Sequence, residues 1–103
     1  MTGQLSCEAA NMKDHVGEAS AFLKKLSNPD RLLVCCALVD GERSVRELEE
    51  ILGIRQPGLS QQLAELREAG LIAGRKDGKQ VFYQLADPRV ALFIATLHRL
   101  FCK

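Results

Sequence analysis

The residues best equipped for chemistry in this chain are four cysteines, Cys7, Cys35, Cys36 and Cys102. A thiolate is a nucleophile and a soft-metal ligand, and it can be oxidised stepwise or joined to a second thiol. The spacing argues against a thiol oxidoreductase. Such enzymes open a helix with Cys-x-x-Cys so that the helix dipole lowers a thiol pKa. Here the doublet Cys35-Cys36 lies inside Leu32-Leu33-Val34-Cys35-Cys36-Ala37-Leu38-Val39, which is apolar throughout. At helical spacing Cys36 shares a stripe with Leu32 and Val39 that faces the core, and Cys35 points to another side. From the residues alone, a small buried hydrophobe is the commoner fate of such a cysteine. Cys102 is next to the last residue of the sequence, where local opening admits reagents. Cys7 falls in a stretch, residues 1–8, that reads as a flexible arm.

A second group of residues suits recognition of a nucleic acid. Gln56, Gly58, Ser60 and Gln61 lie at the start of a helix whose inner face is Leu59, Leu63 and Leu66. Amides and hydroxyls on an outer helix face can bond base edges in a major groove. Arg75, Lys76 and Lys79 gather around Asp77-Gly78, a strong hairpin turn, and can reach phosphate or the minor groove. The competing readings are a solvated helix face and a ribbon kept soluble by charge. A helical hairpin followed by a basic β-hairpin is far more specific than either part, and it predicts a winged helix-turn-helix.

The elements that must position these residues follow in order. Ala9, Met12, Val16, Ala19, Leu23 and Leu26 step by three and four, a seam that predicts one long helix packed along another. Asn28-Pro29 caps a second helix from about Asp30, expected to be buried on all sides and ended by Asp40-Gly41. Ser44 with Glu47 forms a capping box for a third helix ended by Gly53. A fourth starts near Gln56 with Pro57 in its first turn and closes at Ala69-Gly70. Strands follow at Leu71–Lys76 and Lys79–Leu85. Asp87-Pro88 starts a last helix, Arg89 to about Cys102, with Val90, Phe93, Ile94, Leu97, Leu100 and Phe101 on one face. The fold class is mainly α with a small β-hairpin wing, in the order α-α-α-α-β-β-α, as one domain over 1–103. The first and last helices are expected to build a homodimer. Two-fold symmetry would then set two recognition helices roughly 34 Å apart on an inverted-repeat operator.

Bulk properties narrow the classes. Hydrophobic residues make up 47% of 103 residues, enough for one small core. The net charge is only +1, from 14 basic and 13 acidic residues, so affinity for double-stranded DNA must depend on where charge lies. Glu47, Glu49 and Glu50 crowd the third helix. No apolar run approaches a membrane span and no signal peptide is evident, so the expected location is the cytosol, with cysteines as thiols. No glycine-rich phosphate loop and no paired carboxylates point to an enzyme, and no cofactor is expected. A winged helix used only to bind protein remains a third class, separated by whether the protein binds duplex DNA.

Over residues 9 to 102 the sequence resembles the ArsR/SmtB family of small bacterial repressors. The resemblance rests on LSNPDRLLVCCALVDGE, SVRELEEILGIRQPGLSQQLAELREAGLI and RKDGKQVFYQL. Within it, Cys36 and the terminal LFC with Cys102 are most similar to the sulfide- and persulfide-responsive branch, the BigR, SqrR and YgaV type. The resemblance implies a winged-helix dimer that represses transcription and leaves DNA when an inducer arrives. It implies that Cys36 and Cys102 are the sensing pair, reacting with persulfide, another reactive sulfur species or oxidant. Relatives that bind metal use a Cys-x-Cys in the third helix, where this chain has Glu47-Leu48-Glu49-Glu50-Ile51, or histidines and carboxylates on the last helix, where it has Asp87 and His98. With His15 alone on the first helix, no metal site is expected from these. The alternative inducer is arsenite or another soft metal held by Cys35, Cys36 and Cys102.

Overall fold

The computed structural model describes residues 9–102. The expected arm at residues 1–8, with Cys7, lies outside them. The chain is helical over residues 9–13, turns at 14–15, and continues as α1 (Val16–Leu26). The single long helix expected from Ala9 is therefore interrupted. Asp14, His15 and Gly17 are weak helix formers placed together, and the His15 amide closes a turn on the Met12 carbonyl at 2.8 Å.

α2 (Pro29–Leu38) begins where Asn28 accepts from the amides of Asp30 and Arg31. Its burial is one-sided. Val34, Cys35 and Leu38 are in the core, but Leu33 and Val39 are 45% and 42% exposed. This corrects the expectation of a helix buried all round. An apolar run shows how much hydrophobic surface a helix carries, not whether one subunit can cover it.

α3 (Val45–Leu52) carries the capping box in full: Ser44 Oγ accepts from the Glu47 amide, and Glu47 accepts from the Ser44 amide. Gly53 stops it at φ 70°, in the left-handed region. α4 (Gly58–Glu68) starts two residues later than expected, with Pro57 outside the helix as its cap. Leu59, Leu63 and Leu66 face inward, as their spacing predicts.

The wing is β2 (Ile72–Asp77) and β3 (Gln80–Leu85), antiparallel, with Asp77 opposite Gln80. The two-residue loop is thus Gly78-Lys79, one residue later than the expected Asp77-Gly78. Gly78 at φ 65° takes the first central position, where such hairpin loops favour glycine. A third strand, β1 (Arg43–Ser44), pairs with β3 and gives the sheet order β1-β3-β2. Two residues are too short to show alternation, so only the fold reveals it. Gly74 lies opposite Tyr83, and a Cβ there would stand 2.8 Å from the Tyr83 ring. The ring seals the sheet against the core through that gap.

α5 (Pro88–Phe101) closes the subunit, with Asp87 accepting from the Arg89 amide at its start. Val90 and Ile94 are buried, and Phe93 stacks edge-on against Phe22 of α1 at 5.5 Å. The core joins α2, α3, α4, the sheet and α5 through Val34, Cys35, Leu38, Leu48, Leu59, Leu66, Ile72 and Val90. Burying each such aliphatic side chain contributes roughly 1.5–3 kcal/mol. No described helix is long and apolar enough to cross a membrane.

Candidate nucleic-acid interface and thiol pair

The outer face of α4 presents Ser60 and Gln61 to solvent, with Gly58 half-buried as its first residue. Gln56 lies before the helix and has a local task. Its Oε1 accepts from the Ser60 amide at 3.0 Å and from the Ser60 hydroxyl at 2.7 Å. Gln56 thus satisfies a first-turn amide that Pro57, with no side-chain acceptor, cannot. Of the three polar side chains expected to read bases, two are tied to each other and Gln61 stands apart.

α4 is held by its neighbours. Arg31 of α2 donates through Nε to Gln62 at 2.7 Å and through a guanidinium NH2 group to the Lys25 carbonyl at 3.3 Å. Lys25 of α1 pairs with Glu65 at 2.9 Å. Arg31 thus links α2 directly to α4.

The wing cations are not equivalent. Arg75 donates to both carboxylate oxygens of Glu42, at 2.7 and 2.8 Å, and its guanidinium lies 4.8 Å over the Phe82 ring. The Glu42 hydrogen bond raises the Arg75 pKa, and Arg75 in turn holds the Glu42 carboxyl below the usual range. Lys76 and Lys79 are exposed and make no ion pair among the described residues. Sequence reading grouped the three because charge and proximity to a turn were its only signals. Glu42, 33 positions away from Arg75, was missed.

The cysteine doublet is split by the core. Cys35 is fully buried, and burial, helped by the neighbouring Cys36, pushes its pKa up to about 12. Cys36 packs against the core, as its stripe predicts, but is only half-buried. Successive helical residues point about 100° apart, so when Cys35 takes the centre of the core its neighbour emerges at the flank. There Cys36 lines a cleft of about 210 Å³ with Val39 and Asp40 of the α2 end and Ile94, Ala95 and His98 of α5. Burial raises its pKa, and the nearby charge of Cys102 raises it further. The exposed Cys102 ends α5, its amide donating to the His98 carbonyl at 2.8 Å. The structure therefore brings Cys36 and Cys102 into electrostatic reach and turns Cys35 away. The three-thiol metal set is not assembled, and among the described residues no three His, Cys, Asp or Glu side chains are placed to hold a metal ion.

Comparison with known proteins agrees with this geometry. The model for bacterial regulatory proteins of the ArsR family matches residues 28–73. The biofilm growth-associated repressor of Agrobacterium fabrum is 48% identical, covering 88% of this chain and 78% of that protein. The crystal structure of the transcriptional repressor BigR from Xylella fastidiosa superposes with a TM-score of 0.90 at 44% identity, over 92% of this chain and 97% of that one. Reduced HlyU from Vibrio cholerae gives 0.84 at 42%, over 90% and 98%. The arrangement of helices and wing, the matched region and these relatives agree: the chain belongs to the ArsR family of bacterial regulatory proteins, DNA-binding transcriptional regulators and not enzymes.

Proposed function

We propose that the protein is a dimeric transcriptional repressor that holds operator DNA while Cys36 and Cys102 are thiols and releases it when they react with persulfide, another reactive sulfur species or oxidant. The observation that carries this reading is the position of Cys36. It lies on α2, within electrostatic reach of Cys102 on α5, and the same helix grips the recognition helix through Arg31 and Gln62. A bridge between the two thiols ties α2 to the end of α5 and so bears on where α4 sits.

Two bridges balance chemically. With peroxide, the thiols give up two electrons and two protons and form a disulfide as peroxide becomes water. With a hydropersulfide, each thiol first acquires one sulfur, and the two persulfides condense to a trisulfide with loss of hydrogen sulfide. The second suits a rigid frame, because a direct disulfide needs Cα atoms within about 4.4–6.8 Å.

Support for a dimer comes from unspent apolar surface. Met12, Val16 and Leu23 of the first helical segments are exposed, and Leu92, Leu100 and Phe101 of α5 are 72%, 64% and 77% exposed. A second copy covers such a surface without leaving it in water. The two recognition helices then address successive major grooves of an inverted repeat, with Gln61 as the principal base reader and Lys76 and Lys79 on the backbone.

The test is intact mass of the reduced protein after peroxide, glutathione persulfide and arsenite, with DNA affinity measured on each product. The reading expects a Cys36–Cys102 bridge and lost affinity with the first two. Unchanged affinity of a fully bridged protein sinks it.

A further inference from the structure

The α2–α5 cleft poses a problem of reactivity. Cys36 is half-buried and its pKa is raised, so at neutral pH it is a thiol and a poor nucleophile. A thiol in that state needs a base at hand. The cleft supplies one. His98 lines it together with Cys36, and imidazole is the side chain whose ordinary pKa lies nearest neutrality. His98 is exposed, so the cleft opens to solvent on its side. Val39, Ile94 and Ala95 supply the apolar part of its lining. A volume of about 210 Å³ admits a few heavy atoms, not a bulky reagent.

We propose that this cleft is the docking site of a small alkyl hydropersulfide and that His98 is the general base that takes the Cys36 proton. This rests on the thiol-sensing reading above. The Cys36 Sγ proton passes to an imidazole nitrogen. The thiolate attacks the outer sulfur of R–S–SH, a bond forms between Cys36 Sγ and that sulfur, the donor's own S–S bond breaks, and R–S leaves as a thiolate. That thiolate takes the proton back from imidazolium. The products are Cys36 persulfide and RSH. One S–S bond forms and one breaks, so no outside electron donor or acceptor is needed. The apolar wall accepts the neutral S–SH group and its first carbons, while the polar remainder of the donor stays in solvent at the His98 edge.

The titratable groups lining the cleft with His98 are Cys36 and Asp40, both presented from the α2 side, with Cys102 one turn further along α5.

The test is time-resolved intact mass and peptide mapping of the full chain with glutathione persulfide, compared with His98→Gln and His98→Ala from pH 5.5 to 8.5. At pH 7 both variants should add sulfur at Cys36 about 10²-fold more slowly. Free imidazole should restore much of the rate to His98→Ala, which a merely structural role would not produce. Both should bind DNA normally when reduced, which verifies the fold. Native rates and a native pH profile in either variant, or no rescue by imidazole, overturn the role of His98 while Cys36 chemistry stands. If the unsubstituted protein gains no sulfur at Cys36, the thiol-sensing reading itself falls and takes this one with it.

Discussion

Glu42, just before β1, grips Arg75 of β2 through both carboxylate oxygens, at 2.7 and 2.8 Å, across the central strand β3. The wing's arginine is thus neutralised at home, stacked on Phe82, and fixes the wing to the start of the helix-turn-helix. Lys79→Ala should weaken cognate and random DNA alike and lower the slope of log affinity against log salt by about 1. Arg75→Ala should change that slope less. Fluorescence anisotropy over a salt series decides it, and equal slopes for the two variants contradict the distinction.

The same pair sets a pH dependence. The Glu42 carboxyl is held below its ordinary value by the Arg75 hydrogen bond. Its contribution to wing order is complete above the ordinary carboxylate range and is lost as pH falls through the lowered value. Glu42→Gln should remove that acid-side dependence. Amide exchange across β2 and β3 at pH 3 to 6 reads it directly.

Gln61 and Gln56 should separate when each is replaced by Ala. Gln61→Ala should cost about 1–3 kcal/mol on the cognate site and little on random DNA. Gln56→Ala removes the acceptor for the Ser60 amide, so it should lower thermal stability by about 1 kcal/mol as well as DNA affinity. Calorimetry on the free protein distinguishes them. A stability loss with Gln61→Ala and none with Gln56→Ala reverses the assignment.

The cysteine doublet should give two unlike serine variants. Cys36→Ser is expected to bind DNA and to keep binding it in the presence of glutathione persulfide. Cys35→Ser puts a hydroxyl into a fully buried apolar site and should destabilise the subunit by about 1–3 kcal/mol, yet remain inducible. Denaturant melts and DNA release assays test both. A Cys36→Ser protein that still releases DNA moves the chemistry elsewhere.

A charge on the outward face of α5 should break the dimer. Leu100→Glu leaves the core untouched, since Leu100 is 64% exposed in one subunit. Sedimentation at micromolar concentration should show monomers for this variant and dimers without it. Identical sedimentation removes α5 from the interface.

Much of this was legible in the sequence because the signals were local. Ser44 and Glu47 are three residues apart, and the inner leucines of α4 repeat at helical steps, so the cap and the recognition helix could be read directly. The errors arose where a distant partner decides. Glu42 captures Arg75 across 33 positions, and β3 recruits Arg43 and Ser44 into a strand too short to have a period. The sequence put Cys36 rather than Cys35 on the core-facing stripe, yet Cys35 is the one fully buried. Their identities are the same, and only the way α2 is turned against α3, α4, α5 and β3 decides which thiol is enclosed.

That enclosure gives Cys35 a different kind of usefulness. With a pKa pushed up to about 12, its thiolate fraction at pH 7 is on the order of one in 10⁵. It stays silent through any brief pulse of oxidant that reaches its half-buried neighbour. It becomes chemically visible only when α2 leaves the core. On the proposed function, a modified Cys36 would record a signal received, whereas a modified Cys35 would record that the subunit had come undone, and the doublet would keep the two histories side by side on one turn of helix.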